Sequence, residues 1–177
     1  MRIIGGVWRS RLIDFPSLDG LRPTPDRVRE TLFNWLGQNL AGRACLDLFA
    51  GSGALGFEAA SRGAAHVTLV DSDARAFSAL QRSAAALGAT NLELKRSDAL
   101  RFLTLCARRF DVVFLDPPFG QGWLERLAQP LAPVLAPGAV IYAEAEQALA
   151  RLGEWKMIRH RQAGQVHYHL FDTEQTT

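Results

Sequence analysis

Residues 46–56 read LDLFAGSGALG, and the fold of the chain follows from how that stretch is interpreted. An apolar run carries one carboxylate, Asp47, then meets Gly51 and Gly53, then small helix-compatible residues around Gly56. The pattern predicts a buried strand that turns sharply into a helix. Gly51, Gly53 and Gly56 fit GxGxxG, in which missing side chains let the backbone approach a ligand and let the helix pack closely on its strand. Three glycines at this spacing also occur in turns that bind nothing, so the neighbouring sequence has to decide. It supplies a second strand-like run, HVTLV at 66–70, closed by Asp71. That acid stands 24 positions after Asp47 (71 − 47), close to the spacing of about 20 expected of a ribose-binding carboxylate. A nucleoside-type ligand on the turn is the resulting expectation.

Outward from this unit, apolar runs alternate with amphipathic ones, the signature of a parallel sheet covered on both faces. Strands are expected at 44–49, 66–70, 92–95, 112–115 and 139–143, with helices at 54–62, 74–87, 99–107 and 123–135 between them. Pro137 and Gly138 mark a turn before the fifth strand. Residues 155–161 and 166–171, joined through Ala163 and Gly164, read as a hairpin that makes the sheet mixed. Ahead of the core, residues 1–23 read as a basic arm, extended or with a short hairpin. Residues 24–40 read as a leading helix, with Thr24 as its cap, Pro25 and Asp26 in its first turn, and Val28, Leu32, Trp35 and Leu36 on one face. The whole of 1–177 is expected to be one α/β domain, with 44–177 as its core.

The 177 residues are 48% hydrophobic and 21% charged, an ordinary globular composition. No run approaches the roughly 18 apolar residues of a membrane span, and nothing at the start resembles a secretory segment, so a cytoplasmic protein is expected. Cys45 and Cys106 sit in apolar strings and read as reduced packing residues. His66, His160, His167 and His169 lack convergent ligand spacing, so no metal is expected. Net charge is only +2, but its distribution is uneven. Arg2, Arg9 and Arg11 occur without a nearby acid, Arg22, Arg27 and Arg29 gather around the start of the leading helix, and Lys156, Arg159 and Arg161 cluster near the far end.

In open sheets of this kind ligands bind beyond the carboxyl ends of the strands. Four expected strand ends carry an acid in or beside them: Asp47, Asp71, Asp98 and Asp116. Asp98 also suits a helix cap before Ala99. A pyrophosphate on the turn would be repelled by Asp47, whereas the ammonium and sulfonium of S-adenosylmethionine would be attracted to it. The run FDVVFL at 110–115 enters Asp116, Pro117, Pro118 and Phe119 directly. Two prolines fix the backbone and leave carbonyls without neighbouring donors, so the corner is rich in acceptors and can hold an exocyclic amino group while Phe119 offers a face for a planar base.

DPPF at 116–119 resembles the [D/N]PP[F/Y] motif of S-adenosylmethionine-dependent methyltransferases that act on amino nitrogens. With RIIGG at 2–6, LRPTPDRVRETLFNWL at 21–36 and AGQVHY at 163–168, the chain resembles the RsmD family, which methylates guanine N2 in bacterial 16S ribosomal RNA. The resemblance implies a Rossmann-like class I methyltransferase fold with seven strands, the last antiparallel. It implies that Asp47 and the backbone of Gly51, Ser52 and Gly53 hold the methionine end of the cofactor, with Phe49 and Ala50 beside them. Asp71 and Ser72 would then hold the ribose, and Asp98 and Ala99 the adenine. The target guanine would meet Asp116, Pro117, Pro118 and Phe119. Arg2, Arg9, Arg11, Arg22, Arg27, Arg29, Lys156 and Arg161 are expected to contact phosphates of the small ribosomal subunit or its assembly intermediate, with the protein acting as a monomer. Rival readings are an amino-methyltransferase on adenine N6 or protein glutamine, a nicotinamide-dependent oxidoreductase, and a non-catalytic RNA-binding protein.

Overall fold

The computed structural model describes residues 1–14 and 23–174. Its strands are β1 Ala44–Asp47, β2 His66–Asp71, β3 Leu92–Arg96, β4 Phe110–Leu115, β5 Leu135–Ala145, β6 Arg151–Leu152, β7 Trp155–Ala163 and β8 Val166–Asp172; its helices are α1 Asp26–Leu36, α2 Ala54–Ser61, α3 Ala74–Leu87, α4 Ala99–Leu105 and α5 Trp123–Leu127. The sheet order is β3-β2-β1-β4-β5-β8-β7-β6. The first five strands are parallel, and β8 enters antiparallel between β5 and β7. Seven expected strands are thus present. An eighth, the two-residue β6, pairs only with β7 and closes that edge.

Alternation within the central strands feeds two cores. Val112 and Phe114 face the layer of α1, α2 and α3, where Leu32, Phe33, Phe57 and Leu80 are fully buried. Val113 and Leu115 face the layer of α4 and α5, with Phe102, Leu103, Leu124 and Leu127. This period of two is what buries a strand on both faces. From β1 the chain winds outward through β2 and β3, then returns to build β4 and β5 on the other side. The carboxyl ends of β1 and β4 therefore flank the switch point, where an open sheet leaves a crevice.

The leading helix and α5 are shorter than the sequence suggested, and β5 is longer. The leading helix spans Asp26–Leu36 rather than 24–40, because Gly37 adopts φ 93° and turns its N–H back to Asn34. Thr24 does not cap it: Pro25 stands at that position without a side-chain cap, and the Thr24 hydroxyl reaches elsewhere. Helix α5 ends at Leu127, and a short 3-10 turn, Ala132–Val134, replaces the expected continuation across Pro130 and Pro133. Pro137 and Gly138 lie inside a long β5, at the register shift opposite Phe110 and Val112.

The arm is a docked hairpin. Arg2 and Leu12 form an antiparallel bridge, and Ile3 and Ile13 are buried. Its anchor is Glu58 of α2, whose carboxylate accepts from the N–H groups of Ile4 (3.0 Å) and Gly5 (2.8 Å), from Arg29 (3.3 Å) and from Arg62 (3.0 Å). Arg29 also donates to the Arg2 carbonyl at 2.9 Å. Gly6, at φ +77°, lies so close to α2 that a side chain there would meet the Ser61 carbonyl at 1.9 Å.

Candidate active site at the carboxyl edge of the sheet

The turn after β1 is held by backbone groups that its own strands supply. Ala50 donates to the Val70 carbonyl at 2.9 Å, and Gly51 donates to Asp71 Oδ2 at 2.8 Å. Gly51 and Gly53 take φ +55° and +82°, a conformation that glycine adopts without strain. A side chain at Gly56 would lie 2.7 Å from Leu69, so the third glycine brings α2 against β2.

Asp47 lies beneath this turn, 2% exposed, with its Oδ2 accepting from Gly56 N at 2.9 Å. Burial pushes its pKa up to about 7; the Gly56 hydrogen bond opposes the rise, and Asp71 and Glu144 add to it. Asp71 is half-buried and accepts one backbone N–H on each oxygen, from Gly51 and from Asp73. Each oxygen keeps a free lone pair. The neighbouring Ser72 is exposed.

Asp116 follows the last residue of β4. Its carboxyl is pushed well above the ordinary range, by burial first, then by the charge and hydrogen bond of Glu144 and by the charge of Asp47. Asp47 and Asp116 are therefore electrostatic neighbours across the switch point. Pro117 is buried, whereas Pro118 is exposed and Phe119 is 43% exposed, leaving an aromatic ring open to solvent. Gly120 donates to Glu146, which ties the end of this corner to the loop after β5.

A fifth strand-end acid, Glu144 of β5, was not among the sequence candidates. The signal was available, since Glu144 interrupts an apolar strand as Asp47 does, but the expected strand stopped one residue short of it. None of the ion pairs among the described residues reaches Asp47, Asp116 or Glu144. A cluster of buried and half-buried acids without a cation is the set of partners that a sulfonium and an ammonium require. The residues present fit S-adenosylmethionine in that respect.

Asp98 caps α4, its Oδ1 accepting from Leu100 at 3.0 Å and Arg101 at 3.1 Å. It is exposed on the rim of a cavity of about 640 Å³ between the sheet and α4, and Ala99 beside it is buried. A wider cleft of about 850 Å³ lies away from the acids, between the arm and α1, lined by Arg9, Asn34, Gln38 and Arg62. That cleft is lined by none of the strand-end acids, which gather instead at the switch point.

The basic residues separate. Arg29 is fully buried in its ion pairs with Glu58 and Asp26, so it is not available to a phosphate, which corrects its assignment to RNA. Arg22 lies outside the described residues. Arg161 is paired with Tyr168, which is paired with Glu144, so it stands towards the carboxyl edge; Lys156 is paired with Asp172 at the opposite edge. Arg27 is exposed near Thr24. Arg11 donates to the Ala86 carbonyl at the end of α3, and Arg9 lines the cleft by α1, so neither is beside the acids. Arg2 is exposed on the arm. His167 and His169 share a face of β8, where His160 stacks on both, and His169 is buried.

Residues 1–172 match the family model described as Conserved hypothetical protein 95. Ribosomal RNA small subunit methyltransferase D of Escherichia coli (strain K12) is 45% identical over 179 residues, covering 98% of this chain and 90% of its own length. The Haemophilus influenzae protein of the same name is 40% identical, covering 97% and 93%. A solved Escherichia coli structure described as a methyltransferase superposes with a TM-score of 0.90 at 46% identity, covering 98% of each chain. The acids at the switch point, the DPPF corner and these relatives agree: the chain belongs to the Conserved hypothetical protein 95 family, the RsmD family of S-adenosylmethionine-dependent methyltransferases.

Proposed function

We propose that the chain transfers a methyl group from S-adenosylmethionine to the exocyclic N2 of a guanine in small-subunit ribosomal RNA. The observation that carries this reading is the pairing across the switch point: a buried, cation-seeking Asp47 beside an acceptor-rich corner built on Asp116. The whole chain acts as one methyltransferase unit, a cytoplasmic monomer whose substrate is the small subunit or its assembly intermediate.

Bound S-adenosylmethionine supplies a methyl already activated by positive sulfur, so the protein's task is chiefly alignment. Asp47 and the backbone of Phe49, Ala50, Gly51, Ser52 and Gly53 hold its methionine end. Asp71 and Ser72 hold the ribose hydroxyls. Asp98 and Ala99 border the adenine, with the free Oδ2 of Asp98 as acceptor. Guanine N2 is a weak nucleophile because its lone pair is delocalised into the ring. Asp116 and the Pro117 carbonyl accept hydrogen bonds from its N–H groups and stabilise charge developing on nitrogen, whose displaced proton passes to water after transfer. Pro118 fixes the corner, and Phe119 stacks on the base. The guanine must be unpaired or flipped to reach this place. Arg27 and Arg161, with Arg2, Arg9, Arg11 and Lys156 further out, contact phosphates, as does Arg22.

The test is to map methylated nucleotides in small-subunit RNA from cells with and without the protein. One N2-methylguanine is expected to disappear. An unchanged N2-methylguanine map, with loss of methyl groups from DNA adenine or protein glutamine instead, would sink the proposal.

A further inference from the structure

Glu144 lies one residue beyond Ala143, the last position of β5 paired with β4, whose partner there is Leu115; Asp116 is one residue beyond Leu115. The two acids therefore stand side by side at the sheet edge, and their carboxyls are hydrogen-bonded. Glu144 is 7% exposed. Two hydroxyls converge on one of its oxygens: Tyr142 Oη donates to Oε1 at 2.7 Å, and Thr24 Oγ1 donates to the same atom at 3.3 Å. Tyr142, two residues earlier on the same strand, shares its face. Thr24 arrives from the other end of the chain, between Pro23 and Pro25, whose rings restrict how it can be presented.

We infer that Glu144 is a positioning residue for Asp116, with Tyr142 and Thr24 as the two hydroxyls that fix Glu144; this rests on reading the DPPF corner as the target-base site. A buried carboxyl and a half-buried one in contact cannot both be ionised without a large electrostatic cost, so they share one proton. Negative charge settles on the partner with more donors, which is Glu144. The proton then lies on Asp116 and is directed at Glu144, leaving the second Asp116 oxygen as an oriented acceptor for the substrate amine. Without Glu144 the terminal torsion of Asp116 is broad, and the acceptor loses its direction. The arrangement also explains why the segment just before α1 belongs to the site: it delivers the Thr24 hydroxyl.

The test uses the full-length protein with Glu144→Ala, Glu144→Gln and Thr24→Val. Methyl transfer to small-subunit RNA is measured at saturating S-adenosylmethionine, alongside calorimetric binding of S-adenosylhomocysteine and thermal unfolding. Glu144→Ala should lower kcat about 100-fold, as expected when a reacting group loses its alignment, while S-adenosylhomocysteine affinity stays within about twofold. Glu144→Gln should recover kcat to within about tenfold of wild type, since its amide can donate to Asp116 and accept from both hydroxyls. Thr24→Val, nearly isosteric and outside the sheet, should lower kcat by about threefold to tenfold for one lost hydrogen bond, and it carries the test if Glu144→Ala does not fold. Wild-type kcat in Glu144→Ala or in Thr24→Val overturns the assignment, as does a loss of S-adenosylhomocysteine affinity that matches the loss of kcat. A wild-type protein that methylates no ribosomal RNA overturns the base-site reading and the assignment together; active wild type with an equally active Glu144→Ala overturns the assignment alone.

Discussion

Two acidic centres in this molecule are built on opposite principles. Glu58 is surrounded by donors: two arginines and two backbone N–H groups meet its carboxylate, and it joins the arm, α1 and α2. Asp47, Asp116 and Glu144 have hydroxyl, amide and carboxyl partners but no cation among the described residues, and each is pushed above the ordinary carboxylate range. The first group has its charges matched, although Arg29 Nε is buried without a hydrogen-bond partner, and it holds the fold. The second is electrostatically unfinished, and a site in that condition is where a cationic cofactor and an amine donor can be accommodated.

The largest effect is expected from Glu58. Replacing it with alanine leaves Arg29 buried without its main partner, and breaking such a pair costs about 3–5 kcal/mol, measurable by urea unfolding. A loss under about 1 kcal/mol would show that the ion pairs are not what docks the arm.

Asp116→Ala is the converse experiment. Methyl transfer should fall roughly 100- to 1000-fold, the scale for one lost transition-state contact. Unfolding free energy should stay level or rise, because an acid pushed above its ordinary range by burial and by Glu144 has been removed. A drop in stability as large as that of Glu58→Ala would erase the distinction between the two groups.

Asp47 gives the contrast a pH signature. Its folded pKa of about 7 exceeds the ordinary 3.8, so the folded state binds its proton more tightly than the unfolded chain. Through this group, stability rises as pH falls from about 7 towards 4, and above about 7 the charge is a full cost. Asp47→Asn should therefore stabilise the free protein on the order of 2–3 kcal/mol at about pH 8, with the gain vanishing near about pH 4. It should at the same time weaken binding of S-adenosylmethionine in calorimetry. An equal gain at both pH values would mean that Asp47 is not carrying the strain.

The smallest effects concern the cations that attend the unfinished group from outside. Arg27→Ala and Arg161→Ala should each weaken RNA binding and reduce its logarithmic salt slope by roughly 0.7–0.9. Lys156→Ala, at the opposite edge of the sheet, should change the slope less. Equal slopes for all three would place the RNA across the whole molecule.

The parts of the site that were legible in the sequence are those carried by local chemistry. LDLFAGSGALG, HVTLVD and FDVVFLDPPF each state a strand, its end and its acid within a few residues, and Asp47, Asp71 and Asp116 stand at those ends in the structure. Glu144 was missed because its strand runs through Pro137 and Gly138 to Ala145, so the end was misplaced. Arg29 was misassigned because a helical arginine looks the same whether it faces solvent or a buried glutamate 29 positions away. Thr24 looked like a cap, since its real partner lies 120 positions further along the chain.

The sequence by itself determined the alternation of strands and helices, the glycine turn and the proline-fixed corner, because these depend on backbone preference and on periodicity over short stretches. Only the tertiary structure decided which acids meet, which arginine is locked inside and which hydroxyl serves Glu144. Burial and charge act through space, and the switch point between β1 and β4 brings together residues that local sequence cannot pair.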